Sequence, residues 1–571
     1  MNQRVIFLIG FPALWIVVWG LIGAVSSGMR PPLPGVELPT LAAAWDMWHR
    51  DAFLVPGIQG GNAPFVFPLY LWLVQSVWAL FGVSDIWPRL LPSALGLGYT
   101  FMIAALCRAI WPGWSGLGAL GATLATGMVG WMIFASVSGG QVLLMLCVLV
   151  ALYGVMTAGR RGTWDGVVLM GLGVGLGFLA DGLSVLIPVL PVALLAPVWA
   201  PALGWAADGA VASPGWRSSY VRLAISLLIG VAIVAAWIVS VGLDAGFSTA
   251  GQLALGSISP LTDRVGQLEQ QLEQQTWIHL LGLGLFVFPW IVWPPAWRAL
   301  SGVWALVKDG GGRFCLIWLL SSAVVYAVIP GTRPLSVALC ASPFAMIAAY
   351  LLYLRIDPEM ARQETHRRFG NGEATLGLLT ALIGLVLIVA PLAGGLIFLP
   401  WWIAGLSGGW GGVLIVIAAL AAYAAPRLVI FRAALVTSQM ALAVLIGMLA
   451  ASPLLSAQAN IYLPAAHLRQ ALDQETAVAF AGVYGHELDF PARLKQSLTV
   501  LDPEDTIGVV AWAIGHEGGQ VAVVMDQLLM GGKPAAIFPY MGQYLVFWPA
   551  EIIAEHPGIV VGPKPLAATS G

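Results

Sequence analysis

Few side chains in this sequence can hold a proton or a metal ion. Of 571 residues only 9% are charged and 7 are histidine. Asp181 stands in "ADG" (180–182), between two apolar runs. An acid near membrane depth is a functional-site candidate, because a carboxylate in hydrocarbon is costly. The alternative is a wet position at the outer interface. Asp46 and His49 are three residues apart and share one helix face. They are a candidate pair for a divalent cation, the one cofactor the pattern suggests, and the plain alternative is a hydrogen-bonded surface pair. His516 and Glu517 in "IGHEGGQ" form half of a zinc motif with no second histidine at the right spacing. His486, Glu487 and Asp489 read as solvated domain surface. The four cysteines, Cys107, Cys147, Cys315 and Cys340, lie in apolar segments without metal-ligand spacing or a disulfide framework.

The elements that must position these groups are apolar. The chain is 59% hydrophobic, with a mean hydropathy of +0.88. A soluble chain carries about 25% charged residues. The fold class expected is therefore a polytopic α-helical membrane protein. A net charge of −2 gives no hint of nucleic acid as a partner. The N-terminal run is too long for a signal peptide and reads as a retained first span.

Apolar segments of spanning length lie near 5–26, 90–111, 114–135, 141–158, 165–181, 184–200, 220–243, 277–296, 314–330, 335–354, 375–399, 403–424 and 432–452. That makes about thirteen spans, or about fourteen if 66–82 also crosses. Arginine decides between them, because short cytoplasmic loops carry the positive excess. With Arg4 inside and 66–82 not crossing, the inner loops hold Arg108, Arg160, Arg161, Arg217, Arg222, Arg298, Lys308, Arg313, the four arginines of "LRIDPEMARQETHRRFGNGE", Arg427 and Arg432. The opposite loops hold only Arg30, Arg50, Arg89, Arg264 and Arg333. A crossing by 66–82 would invert that bias. Its tryptophans and its Pro68 start suit a helix lying on the outer interface.

Two outer elements follow: the loop 27–89 and a tail from 456 to 571, beyond a transmembrane domain of 1–455. In the polar tail, "TAVAFAGVY" and "TIGVVAWAI" read as buried strands and "PAAHLRQALDQ" as an amphipathic helix. A small periplasmic α/β domain is expected there. "DRVGQLEQQLEQQ" (263–275) reads as a solvated helix in an outer loop.

The ordered set "RDAFLVPGIQGG" (50–61), "PLYLWL" (68–73), "LFGV" (80–83) and "PRLLPSALGL" (88–97) resembles the first outer loop of the C-class membrane glycosyltransferases. The resemblance is to the bacterial aminoarabinose–lipid A transferases and their protein O-mannosyltransferase relatives. "HLLGLGLFVFPWIVWPPAW" (279–297), "RPLSVALCASPFAMI" (333–347) and "VAFAGVYGHELDFPARLKQSLTVLD" (478–502) resemble later segments of the same group. The resemblance implies transfer of a sugar from a polyprenyl-phosphate donor to a lipid, glycan or protein acceptor. The place would be the outer face of the bacterial inner membrane, among membrane lipids.

The resemblance weakens at the group's functional positions. Where an acid pair opens the first loop helix, this chain has "PGVELPT" (34–40), with Glu37 alone. Glu37 is the candidate catalytic base, or a charge placed at a helix N-terminus. Where a second acid opens the fourth span, "SVSGGQVLLML" (136–146) has Gln141, which exchanges hydrogen bonds but takes no proton. The lysine before the paired prolines becomes Val66, and a later lysine becomes Asp181. Arg333 is the candidate for the missing positive charge, or an interfacial arginine that snorkels. A catalytically lapsed member that binds lipid or a partner is the alternative.

Overall fold

The computed structural model describes residues 10–56, 67–114, 116–161, 163–203, 216–256, 284, 286–328, 333–354, 372–389, 391–392, 406–423, 429–526 and 533–561. The main elements are α1 (Phe11–Gly28), α2 (Leu38–His49), α3 (Pro68–Phe81), α4 (Ile86–Ile110), α5 (Leu117–Thr126), α6 (Val129–Val137), α7 (Gly139–Arg161), α8 (Trp164–Asp181), α9 (Leu186–Leu194), α10 (Trp216–Ala245), α11 (Phe247–Gly256), α12 (Gly310–Val328), α13 (Arg333–Leu354), α14 (Gly372–Val389), α15 (Gly409–Tyr423) and α16 (Val429–Gln458). The tail adds α17 (Tyr462–Asp473), β1 (Val478–Ala481), β2 (Thr499–Leu501), α18 (Thr506–Gly515), β3 (Gln520–Met525), β4 (Ala536–Tyr540), β5 (Gln543–Pro549) and α19 (Ala550–Glu555).

Among the described residues, 6 helices are long and apolar enough to cross a membrane, or 7 if the bent pair α5–α6 is one span. α5 and α6 meet at 69° across Gly127 and Met128. Backbone freed at the bend finds partners: the Trp290 indole donates to Leu124 O, and Val129 N donates to Phe288 O. Such breaks persist at membrane depth only where protein satisfies the backbone. The run 164–194 also turns back on itself. Gly182 has φ +62°, and a Cβ on Gly177 would meet Val185 at 2.5 Å. Eight residues of straight helix would hold those positions about 12 Å apart. Of the expected span 277–296, residues 284 and 286–296 are described and carry two short helical turns, Trp290–Val292 and Pro294–Ala299; the helix of 263–275 and the arginine-rich segment 355–371 fall outside the described residues.

α3 has 14 residues and buries Tyr70, Leu71, Val74, Gln75 and Trp78. At about 1.5 Å per residue it is too short for a bilayer core of roughly 30 Å. The ends it joins also meet. Arg89, near the start of α4, donates to Ser26 O and Arg30 O at the end of α1, each at 2.5 Å. The chain therefore leaves α1 and enters α4 at one end of the bundle, with α2 and α3 lying across that end.

The tail is a five-stranded sheet in the order β2-β1-β3-β5-β4, with β1 parallel to β2 and β3. Alternation splits it. Phe480, Ala522 and Phe547 face the main core, while Ala479, Val521 and Trp548 pack beneath α18 and α19. "TIGVVAWAI" is a helix, not the strand expected. Asp505 caps it by accepting from Gly508 N, and its ten apolar-rich residues do not alternate. The amphipathic helix read at "PAAHLRQALDQ" is α17.

Candidate active site at one end of the bundle

The approach to the site starts in the Pro-rich turn 31–34, which carries the chain from α1 into α2. Glu37 precedes α2 and is buried. Its Oε2 accepts from Arg30 Nη1 at 2.5 Å and from Leu33 N at 2.8 Å, and its Oε1 accepts from Arg30 Nη2 at 2.9 Å. Arg89 Nε stands 3.9 Å from the same Oε1 and, though buried, has no hydrogen-bond partner. The carboxylate thus lies between two guanidiniums, with one Oε1 lone pair still open.

A chain of contacts links this pair to α7. Arg30 Nη2 donates to Ser26 Oγ at 2.9 Å, and Ser26 Oγ donates to Ser136 O at 3.2 Å. Gly139 then lies against Tyr70, where any Cβ would overlap the phenol hydroxyl. The Tyr70 hydroxyl donates to Pro88 O at 3.1 Å, beside Arg89. The ring closes through residues 26, 30, 37, 89, 70 and 139. Gln141, half-buried in the first turn of α7, stands two residues from it. Burial raises the Tyr70 pKa well above its ordinary value, and Glu37 adds to the effect, so the phenol is a neutral donor.

Asp181 ends α8. That helix returns antiparallel to α7 and packs beside α3, so Asp181 comes back to the end where Gln141 starts. Arg333 opens α13. Tyr99 and Ser342 share a 2.6 Å hydrogen bond, and Tyr350 stacks on Trp111 at 5.0 Å, so α13 runs alongside α4 in the same direction. The first residue of α13 therefore lies at the end where α4 begins. The four candidates belong to one end of the bundle, with Glu37 in the ring of contacts and Gln141 two residues along α7 from Gly139.

α2 and the tail close over this end. The Trp45 indole donates to Leu494 O at 2.8 Å, His49 Nε2 lies 3.0 Å from Lys495 O, and Trp78 stacks on Phe490 at 5.5 Å. The small cleft there is lined by Trp45, Asp46, His49, Asp489, Lys495 and Ser497. Asp46 pairs with Arg50, and His49 faces two carbonyl oxygens. The Asp46–His49 cation pair is not formed, and no cluster of three metal-ligating side chains occurs among the described residues.

His486 and Asp489 are not solvated surface. His486 is 7% exposed and Asp489 5%. Asp489 accepts from the Tyr484 hydroxyl at 2.6 Å and lies 2.9 Å from His486 Nδ1. Sequence reasoning missed this because short polar runs read as loops, whereas their apolar neighbours Leu488 and Phe490 pull them into the core. It also passed over Arg30 and Arg89. Arg30 lies seven residues before Glu37, but Arg89 reaches it only through the fold.

No family model matches the chain. It is 25% identical over 256 residues to an undecaprenyl phosphate-alpha-4-amino-4-deoxy-L-arabinose arabinosyl transferase of Edwardsiella ictaluri. That match spans 44% of this chain and 40% of the relative. The whole chain is similar in structure to ArnT from Cupriavidus metallidurans bound to undecaprenyl phosphate, with a TM-score of 0.71 and 16% identity over 97% of this chain and 99% of that one. The apo form of the same protein gives 0.67 with 17% identity, over 99% and 100%. The fold is that of ArnT from Cupriavidus metallidurans, and the curated relative is an arabinosyl transferase, of the kind that the segments read above resemble.

Proposed function

We propose that this chain is a multi-pass inner-membrane glycosyltransferase. It takes a sugar from a polyprenyl-phosphate donor and passes it to a lipid A-like lipid, a glycan or a protein at the outer face of the membrane. The observation that carries the reading is the likeness of fold along the whole chain to a protein solved with undecaprenyl phosphate bound. The donor's phosphate stays at the interface because its prenyl tail stays in the bilayer, so chemistry on it needs a site at a bundle end. In this reading the N-terminus is cytoplasmic, and the tail 456–571 is a periplasmic domain over the transmembrane domain 1–455.

Glu37 acts as the base for the acceptor hydroxyl, which donates to the open side of Oε1. Gln141 and Asp181 contact the sugar or acceptor, and Arg333 meets the donor phosphate. Arg89 Nε, short of a partner, helps to hold whatever oxygen approaches Oε1. The test is transfer from a labelled polyprenyl-phosphate sugar by the purified chain in lipid. Persistent absence of transfer across donors overturns the enzyme.

One observation favours the second reading, a lapsed enzyme that binds lipid or a partner. Arg30 already occupies both Glu37 oxygens, and every guanidinium contact competes with an incoming hydroxyl. On that reading Glu37 is a brace that ties α1 to α2.

A further inference from the structure

The tail carries an arginine whose placement the transfer chemistry above does not use. Arg493 sits in the left-handed region, at φ +56°, which is uncommon for a side chain of its size. Its guanidinium lies over the Phe490 ring at 4.1 Å and the Trp45 ring at 4.9 Å. Its Nη1 is buried without a hydrogen-bond partner. The loop that presents it is braced from within by the Tyr484–Asp489–His486 contacts. Non-glycine strain held by a rigid surround points to use.

The charges around it compensate it only in part. The groups that act on it are Asp85, Tyr462 and Arg469. Asp85 is already engaged, by Arg89 at 3.5 Å and by the Tyr462 hydroxyl. Burial lowers the Arg493 pKa from its ordinary value. A bound anion on the exposed edge of the half-buried guanidinium offsets that cost, because it supplies the counter-charge.

The surroundings say what kind of anion. Asp85 and Tyr462 stand where the α3–α4 turn meets the start of α17. On the α3–α4 side Leu80 is 76% exposed and Phe81 60%; on the α17 side Leu463 is 58% exposed. Phe81 stacks on Trp87 at 4.6 Å. An apolar rim beside an unpaired cation matches a phosphate that carries hydrocarbon chains.

We propose that Arg493 binds the phosphate of an anionic lipid at the lateral edge of the bundle's outer end, with the lipid's chains lying along the Leu80–Phe81–Leu463 rim. The inference rests on the reading that this end meets lipid-borne phosphate. It adds a binding residue supplied by the tail rather than by the bundle.

The test uses the full-length chain in detergent, titrated with phosphatidic acid, phosphatidylcholine and inorganic phosphate, with bound lipid counted by native mass spectrometry. Wild type binds phosphatidic acid in preference to phosphatidylcholine. Arg493→Gln weakens phosphatidic acid about 10- to 100-fold, the usual loss for one charge-assisted contact. Unchanged affinity in Arg493→Gln overturns the site. Competition by inorganic phosphate at concentrations matching the lipid overturns the lipid as the occupant. Should Arg493→Gln lower the melting temperature, Arg493→Lys decides: a several-fold loss supports bidentate phosphate binding and wild-type affinity overturns it. Arg493-dependent lipid binding without any sugar transfer leaves this site standing and removes the transferase reading. Transfer by a wild-type chain whose lipid binding ignores Arg493→Gln does the reverse.

Discussion

Glu37 bears both on chemistry and on the joint between α1 and α2, and the two roles separate experimentally. Glu37→Gln removes the charge opposite Arg30 and Arg89, both buried. Breaking a buried pair from one side costs about 3–5 kcal/mol, so this nearly isosteric change lowers the melting temperature. As a base, Glu37 supplies about 10²- to 10⁴-fold in rate, and transfer falls by that factor. The double change Glu37→Gln with Arg30→Gln removes much of the unpaired charge. It recovers stability without recovering transfer if Glu37 is the base, and recovers both if Glu37 is only a brace. Glu37 was legible in the sequence as the lone acid of its turn. The clamp on Glu37 was not, because Arg30 is bound to it through a turn whose shape three prolines and Gly35 set. Arg333 was chosen from its segment; its backbone opens α13 at the expected end of the bundle.

At the scale of elements, α3 shows how far pattern reasoning goes. Its apolar composition fits a span as well as an interfacial helix, and only the arginine bias separated them. The Arg89 contacts to Ser26 and Arg30 give an independent argument, since α4 starts where α1 stops. A cysteine at Ser84 is therefore labelled by an impermeant thiol reagent in intact cells; labelling only after permeabilisation removes this topology. α18 shows the opposite case. A short apolar run does not say helix or strand, and here the deciding signal was local, Asp505 capping Gly508 N. α19 carries a similar device. Glu551 accepts from Gly518 N at 2.7 Å, and backbone hydrogen bonds hold its carboxyl below the usual value. A lowered carboxyl stabilises the fold above its unfolded value, near about 4.3, and loses that contribution as pH falls through the folded value. Glu551→Gln thus lowers the melting temperature at pH 7 by on the order of 1 °C, since the group is exposed, and the gap to wild type closes in acid. A gap that persists at low pH means the effect is not this carboxyl's charge.

For the whole molecule, the contact between the first outer loop and the tail constrains topology more tightly than any count of spans. Trp45 and His49 of α2 bond to Leu494 and Lys495 of the tail, and Trp78 of α3 stacks on Phe490. Groups that touch lie on one side of a membrane. The chain between α3 and the tail must then cross an even number of times, and α1 adds one more. With α1 crossing once, an odd total is predicted, with the two termini on opposite sides. The expected thirteen is one such odd number, and fourteen is not. Arginine asymmetry predicts the direction, with the N-terminus toward the cytoplasm. A fluorescent protein that matures only in the cytoplasm should glow when fused before Met1 and stay dark when fused after Gly571. Alkaline phosphatase, active only outside, should give the reverse pattern. Trp45→Ala gives the matched control on the contact itself. It removes a ring and a hydrogen bond at about 3–5 kcal/mol, enough to loosen the tail from α2 and expose the 484–497 loop to protease while the fusions keep their sides. Two fusions reporting the same compartment would overturn the contact between α2 and the tail, and the roof over Glu37 with it.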